Sequence, residues 1–334
     1  MSLSTDLDST HSQADVQLEV RRQIRVWREL LAHCGRKPGR KIVHKLRVTT
    51  LRLQAALEFS LSSVDAGSSP VKSKERWARQ AKKLRRALGP VRRSDVSLDQ
   101  LATIRDWAEH PDSAPAVFPK EYLGVIEKIE RTVAHRRKSA AKKLTAEIEG
   151  RRKRLNRLSR KLETTASGFA STKEIGVAGK IRSQVAAVAA EFASLDTENL
   201  HQFRKRIKKI RYLAEVFASV DPYAARQASM LKHMTSAIGE WHDWQALAEE
   251  ATRASRREAA TTAATELLRA QAWRMFERAR TLCTDTMAVL LEGVDPRRSP
   301  AAAQTPPRKP VASVSPVPDG MDAKRSVHTS KLAS

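Results

Sequence analysis

The chain has 334 residues, with 62 Lys+Arg against 37 Asp+Glu and a formal net charge of +25. At 41% hydrophobic it can bury the core of one large domain or two small ones. The charge favours anionic partners (nucleic acid, anionic lipid or another polyphosphate) without choosing among them. It lacks an apolar run near the roughly 18 residues of a membrane span. It begins MSLSTDLDST, which is acidic and polar, unlike a secretory leader. Neither Cys34 nor Cys283 belongs to a CxxC pair, so buried thiols in a reducing, cytoplasmic setting are expected.

Taken in order, residues 1–15 are polar without apolar period and read as a disordered tail. Segment 17–34 places Leu18, Ile24, Trp27, Leu30 and Leu31 at helical spacing, and the GRKPG stretch stops it. A second helix is predicted over about 41–61 and a third over about 71–89, which Gly89-Pro90 should break. A fourth follows over about 94–109, then a long one over about 119–163. The connection at 166–172 divides the chain into a first helical half, about 16–165, and a second, about 172–295. The second half reads as helices over about 173–194, 199–219, 222–238, 242–256 and 259–292. From 296 to 334 the composition turns Pro-rich and basic, and this end is expected to be disordered. Strand-like alternation and hairpin signals are missing, so the fold class is all-α with long helices.

Two stretches resemble each other across the midpoint: VHKLRVTTLRLQAALEF from Val43 and LHQFRKRIKKIRYLAEVF from Leu200. His44 aligns with His201, Arg47 with Arg204, Arg52 with Lys209 and Glu58 with Glu215; further on, Gly89 aligns with Gly239. Two elements recurring in the same order at nearly the same spacing point to an internal duplication. In the second copy, His201, Arg204, Lys208, Arg211 and Glu215 fall within about 80° of one helical face. Leu200, Phe203, Ile207, Ile210, Leu213 and Phe217 form the adjoining apolar arc. A ladder of cations with one acid to offset it is more than a solubility face when the same His and Arg recur in the other half.

The patterns H-x-x-R-V at His44–Val48 and H-x-x-R-x-x-x-K-x-x-R-Y at His201–Tyr212, with L-G-x-x-R at Leu88–Arg92, resemble the CHAD domain, the conserved-histidine α-helical domain. The resemblance covers residues 16–295. It implies two pseudo-symmetric four-helix bundles facing each other across a basic central groove, and binding of inorganic polyphosphate on intracellular polyphosphate granules. The binding residues it suggests are His44, Arg47, Arg52, Lys82, Arg85 and Arg92 in the first half. In the second they are His201, Arg204, Lys208, Lys209, Arg211 and Lys232. The sequence departs from the family at Leu51 and Gln54, where arginine is usual, and at Arg93, where Asp is usual. The ligand track is therefore expected to be asymmetric, with the second half the main grip. The long helix adds another cationic source, including RRKRLNRLSRK from Arg151.

Catalysis is not expected, nor is a cofactor. His44 and His201 each stand three residues from an arginine with no helically spaced partner ligand, and His242-Asp243 is adjacent rather than helically spaced, so a metal is disfavoured. Hydrogen bonding to phosphate, or to Glu58 or Glu215, is the role these imidazoles suit. No GxxxxGK[ST] loop or GxSxG elbow is present. Side chains must therefore supply the positive field, forked donors from Arg and point charges from Lys. The competing reading is non-specific nucleic-acid binding, since the same ladders would neutralise DNA or RNA phosphates. Base-stacking aromatics and a recognition motif are missing for anything more specific. A third reading is a structural protein coating a granule.

Overall fold

Leu, Ala, Lys, Arg and Glu on a 3.6-residue apolar period build eight α-helices among the described residues of the computed structural model, which are 13–62, 64–65, 67–111, 118–165, 176–254 and 259–292. They are α1 (Gln13–Arg36), α2 (Arg40–Ser60), α3 (Ser69–Glu109), α4 (Leu123–Thr165), α5 (Val177–Glu191), α6 (Leu200–Phe217), α7 (Pro222–Ala254) and α8 (Ala259–Glu292). A 3-10 turn at Lys120–Tyr122 leads into α4. The described residues contain no strand, so the chain is all-α. The helix α1 begins at Gln13, inside the stretch expected to be a tail; the connection 166–172 and the Pro-rich end from 296 lie outside the described residues.

The expected break at Gly89-Pro90 does not occur: α3 runs through it. Proline inside a helix costs roughly 3 kcal/mol, because it removes a donor and its ring crowds the preceding turn. Leu84, Leu88 and Val91 are fully buried around it, each worth about 1.5–3 kcal/mol, and their burial outweighs the interruption. Arg47 Nη1 also donates to the Arg85 carbonyl (3.2 Å) in the turn before the proline. The break expected between 238 and 242 is likewise absent, since Met234, Ile238, Trp241 and Trp244 carry one buried stripe along the uninterrupted α7.

Within the first half α1 packs on α2, α2 on α3, α3 on α4 and α4 back on α1; in the second α5 packs on α6, α6 on α7, α7 on α8 and α5 on α8. The halves meet where α2 packs on α6, with smaller contacts of α3 on α7. One apolar cluster runs through all eight helices and includes Trp27, Leu46, Trp77, Phe203, Phe217, Ile238 and Cys283. A second, smaller cluster joins the far ends of α3, α4, α7 and α8 through Leu101, Ile104, Ile126, Trp244, Leu247 and Leu268. Within the main core the Trp27 indole donates to Thr50 Oγ1 (2.9 Å) and meets Trp77 edge-on at 5.6 Å. Both cysteines are buried, and burial pushes the thiols up to about 11 (Cys34) and about 12 (Cys283). They are packing groups, not nucleophiles.

Several cations of the long helix serve the fold. Arg137 Nε donates to the buried carboxylate of Asp95 (3.0 Å) and its Nη2 to the Pro38 carbonyl (3.0 Å), fixing the α1–α2 turn to α3 and α4. Arg136 pairs with Glu250 on α7. Among the described residues no helix is long and apolar enough to cross a membrane.

Candidate anion-binding site

The packing of α2 on α6 brings the His44–Val48 stretch beside the His201–Tyr212 stretch. His44, Arg47 and Arg92 from the first half interact electrostatically with Arg204, Lys208 and Arg211 from the second, and Arg85 joins through Arg47. His201 borders the cluster beside Lys205, Arg204 and Lys208. Seven of the residues singled out by sequence thus act on one another directly, with His201 at the margin. Lys82, Lys209 and Lys232 are exposed.

The Lys208 ammonium shows the strength of the field. Burial, then Arg204, Arg47 and Arg211, push it down from the usual lysine range to about 7, and Asp243 only partly opposes them. Desolvation of a cation among like charges lowers its proton affinity, and both causes act here. The same combination holds His44 and His201 below the ordinary imidazole value: loss of solvent first, then Arg92, Arg211, Lys208 and Arg47 around His44, and Lys205 and His242 around His201. Both rings are neutral at pH 7 and can donate one N–H each.

The carboxylates expected to hold these imidazoles are engaged elsewhere. Glu215 accepts from Arg52 Nε through one oxygen and from Arg211 Nε through the other, both at 2.8 Å, and Glu58 accepts from Gln54 Nε2 at 2.8 Å. An interhelical bridge from α2 to α6 therefore occupies Arg52, which sequence had grouped with the ligand-facing cations. Arg211 Nη1 donates to Thr235 Oγ1 on α7 (2.6 Å), so its fork is fixed from two sides. The His201 ring instead meets His242 edge-on at 5.3 Å.

Two residues matter here that sequence reasoning had passed over. Asp243, dismissed with His242 as a poor chelate, faces Arg204, His242, Arg92 and Lys208; its own pKa is raised by burial. It occupies the position matching Arg93 in the repeat, so the departure from the family pattern was its signal. Tyr212 lies under the cations, with the Arg211 guanidinium 5.0 Å and Lys208 Nζ 5.9 Å from its ring centroid. Gly239 also acquires a reason: a Cβ there would stand 2.8 Å from Arg204 Nη2, so its absence lets the guanidinium lie against α7. The Nε atoms of Arg204 and Arg85 are buried without a hydrogen-bond partner. Buried donors without acceptors are costly. Among the described residues no group of three His, Cys, Asp or Glu could hold a metal.

Fold and cluster define an all-helical domain in which cations of α2, α3 and α6 act on one another. The chain belongs to the CHAD domain family, whose model matches residues 18–252. Among solved structures it resembles PptA from Streptomyces chartreusis, with a TM-score of 0.60 over 84% of this chain and 100% of the other, at 16% identity. At that identity the likeness speaks for the fold alone. No curated protein matches the chain.

Proposed function

We propose that this protein binds inorganic polyphosphate across the cationic cluster at the α2–α6 contact, as a non-enzymatic protein of polyphosphate granules. The observation that carries the reading is the convergence of Arg47, Arg204, Lys208 and Arg211, whose charge, after burial, pushes the Lys208 ammonium down to about 7 with Asp243 opposing it only in part. A repeating phosphate chain suits the arrangement, because Arg47, Arg85, Arg92 and Arg204 gather several guanidinium groups, while Arg211 adds charge with its fork held by Glu215 and Thr235. His44 and His201 add neutral N–H donors at the edge. The matching packing orders of α1–α4 and α5–α8 support a pseudo-symmetric pair of four-helix bundles with this cluster as their basic central groove. Lys82, Lys209 and Lys232, exposed on the flanks, would meet a longer chain as it leaves the groove, with their contributions lowered by solvent screening.

The family's association with polyphosphate supports the choice of ligand over nucleic acid. In the groove the aromatic ring of Tyr212 is already covered by Arg211 and Lys208, which leaves it unavailable to stack on a base. The test is competition: labelled polyphosphate displaced by unlabelled polyphosphate or by duplex DNA of equal phosphate count at near-physiological salt. Polyphosphate should displace at the lower concentration throughout a salt titration. Equal displacement would transfer the assignment to non-specific nucleic-acid binding.

A further inference from the structure

The basic run that begins at Arg151 takes no part in the cationic cluster. Arg154, Arg157 and Lys161 of α4 instead line an outer groove of about 420 Å³ with Arg76 of α3, and Leu158 is its one apolar lining residue. Nearby, Arg151 Nη1 donates to Gln80 Oε1 (3.3 Å), which fixes the register of the two helices. The charge continues along α3, where Lys72, Arg76, Arg79, Lys83 and Arg86 fall within about 80° of one helical face. All of these cations are exposed. Arg85, whose carbonyl accepts from Arg47 in the cluster, lies about 140° round α3 from the middle of that stripe. Two cationic surfaces thus occupy different sides of one helix.

The carboxylates that could offset the outer charge are committed elsewhere. On α4, Glu147 pairs with Arg151, Glu149 with Arg152 and Glu163 with Arg28. Glu75 is the one acid between Lys72 and Arg86. It sits about 100° round the helix from Arg76, on the side away from Gln80, and does not line the groove. Among the described residues none of the cations of the groove or the stripe pairs with a carboxylate.

Cations from two helices that share one concave space repel each other, and a ligand with closely spaced negative charges offsets them together. An anionic membrane is a poor match. Interfacial binding buries apolar side chains, and among the described residues the exposed large ones lie on α1 and α8, none on α3 or α4. Nucleic acid fits less well too. Packed helices run about 8–10 Å apart, so the groove between them admits a single chain and not a duplex. Trp77 is fully buried beside it, which leaves no ring for a single-stranded base. We propose that the outer groove and its stripe form a second site for a linear polyphosphate chain, so that one molecule holds two chains on different sides of α3. The choice of ligand rests on the polyphosphate reading of the cluster; the site itself does not. A chain carrying several such molecules, each gripping another chain, becomes a network.

Calorimetry of the full chain with short-chain inorganic polyphosphate should return two chains bound per molecule. The combined variant Arg76→Gln, Arg154→Gln, Arg157→Gln, Lys161→Gln should bind one. A variant of equal charge, Arg131→Gln, Lys138→Gln, Lys142→Gln, Arg278→Gln, removes exposed cations outside the groove and should still bind two. Neutralising Arg204, Lys208 and Arg211 should leave the outer chain in place, with helical circular dichroism retained in every variant. With long-chain polyphosphate, light scattering by the unaltered protein should rise to a maximum and fall again in excess polyphosphate, when each site has its own chain. The outer-groove variant should not scatter. One chain per unaltered molecule, or an equal loss in the variant of equal charge, would overturn the second site and leave the cluster reading standing. So would an outer-groove variant that loses duplex DNA or anionic vesicles yet keeps both polyphosphate chains. If the unaltered protein bound no polyphosphate, both readings would fall.

Discussion

If polyphosphate binds over the cationic cluster as proposed, Lys208 makes that binding a proton-linked event whose direction follows from its surroundings. In the free protein its ammonium loses its proton near 7, because burial and Arg204, Arg47 and Arg211 all oppose the charge. A phosphate chain laid over the cluster opposes those cations and restores the charged form. Binding at pH above about 7 must therefore take up a proton, and affinity must fall as pH rises. If the bound ammonium regains an ordinary lysine value, the loss approaches tenfold per pH unit above about pH 7, or about 1.4 kcal/mol per unit. His44 and His201, also lowered, act in the same direction at more acid pH. Calorimetry in buffers of different ionisation enthalpy reads the proton count directly, and should return close to one proton near pH 8. Lys208→Arg keeps a charge that does not titrate in this range and should flatten the curve. Tight polyphosphate binding that is independent of pH between about 7 and 9 in the unaltered protein would refute the reasoning. It would mean that the ligand does not reach Lys208.

Three more outcomes follow from the same geometry. Lys208→Met should raise the melting temperature while weakening binding. The folded lysine titrates below its unfolded value, so its destabilising effect is full below about pH 7 and fades as pH rises towards the ordinary range; the gain in melting temperature should shrink accordingly. Gly239→Ala should leave the helix as stable or more so, by about 0.5–1 kcal/mol on propensity alone, yet weaken binding because the new methyl group displaces the Arg204 guanidinium; thermal melts and a binding titration separate the two. Neutralising Arg204, Lys208 and Arg211 together should weaken polyphosphate binding more than neutralising Arg47 and Arg52, with helical circular dichroism retained. The Arg52 change mainly opens the bridge to Glu215, so a larger binding loss from that pair would move the principal grip to the first half.

The helices were legible because their apolar residues recur at helical spacing along nearly every segment, as in Leu200, Phe203, Ile207 and Ile210. The cationic face of α6 was legible for the same reason, and the repeat pointed to its partner on α2. What the sequence hid depends on contacts between distant segments. Pro90 reads as a stop in isolation, and only the burial of Leu84, Leu88 and Val91 against neighbouring helices carries α3 through it. Arg52 reads as one more cation of a ladder, and only the α2–α6 crossing hands it to Glu215, a residue 163 positions away. Asp243 reads as a weak metal ligand beside His242 until α7 sets it opposite Arg92 and Arg204.

The uninterrupted α3 and α7 tie the cationic centre to both apolar clusters. Leu88, Val91 and Ile238 anchor these rods in the main core on one side of Arg92 and Asp243, while Leu101, Trp244 and Leu247 anchor them in the smaller one on the other. Mutual repulsion among the cations would ordinarily be released by the helices splaying apart, but here both ends are fastened. On the proposed reading, an anion bound there would offset this repulsion without deforming the scaffold, and a break in either continuous rod would let the cations spread apart instead.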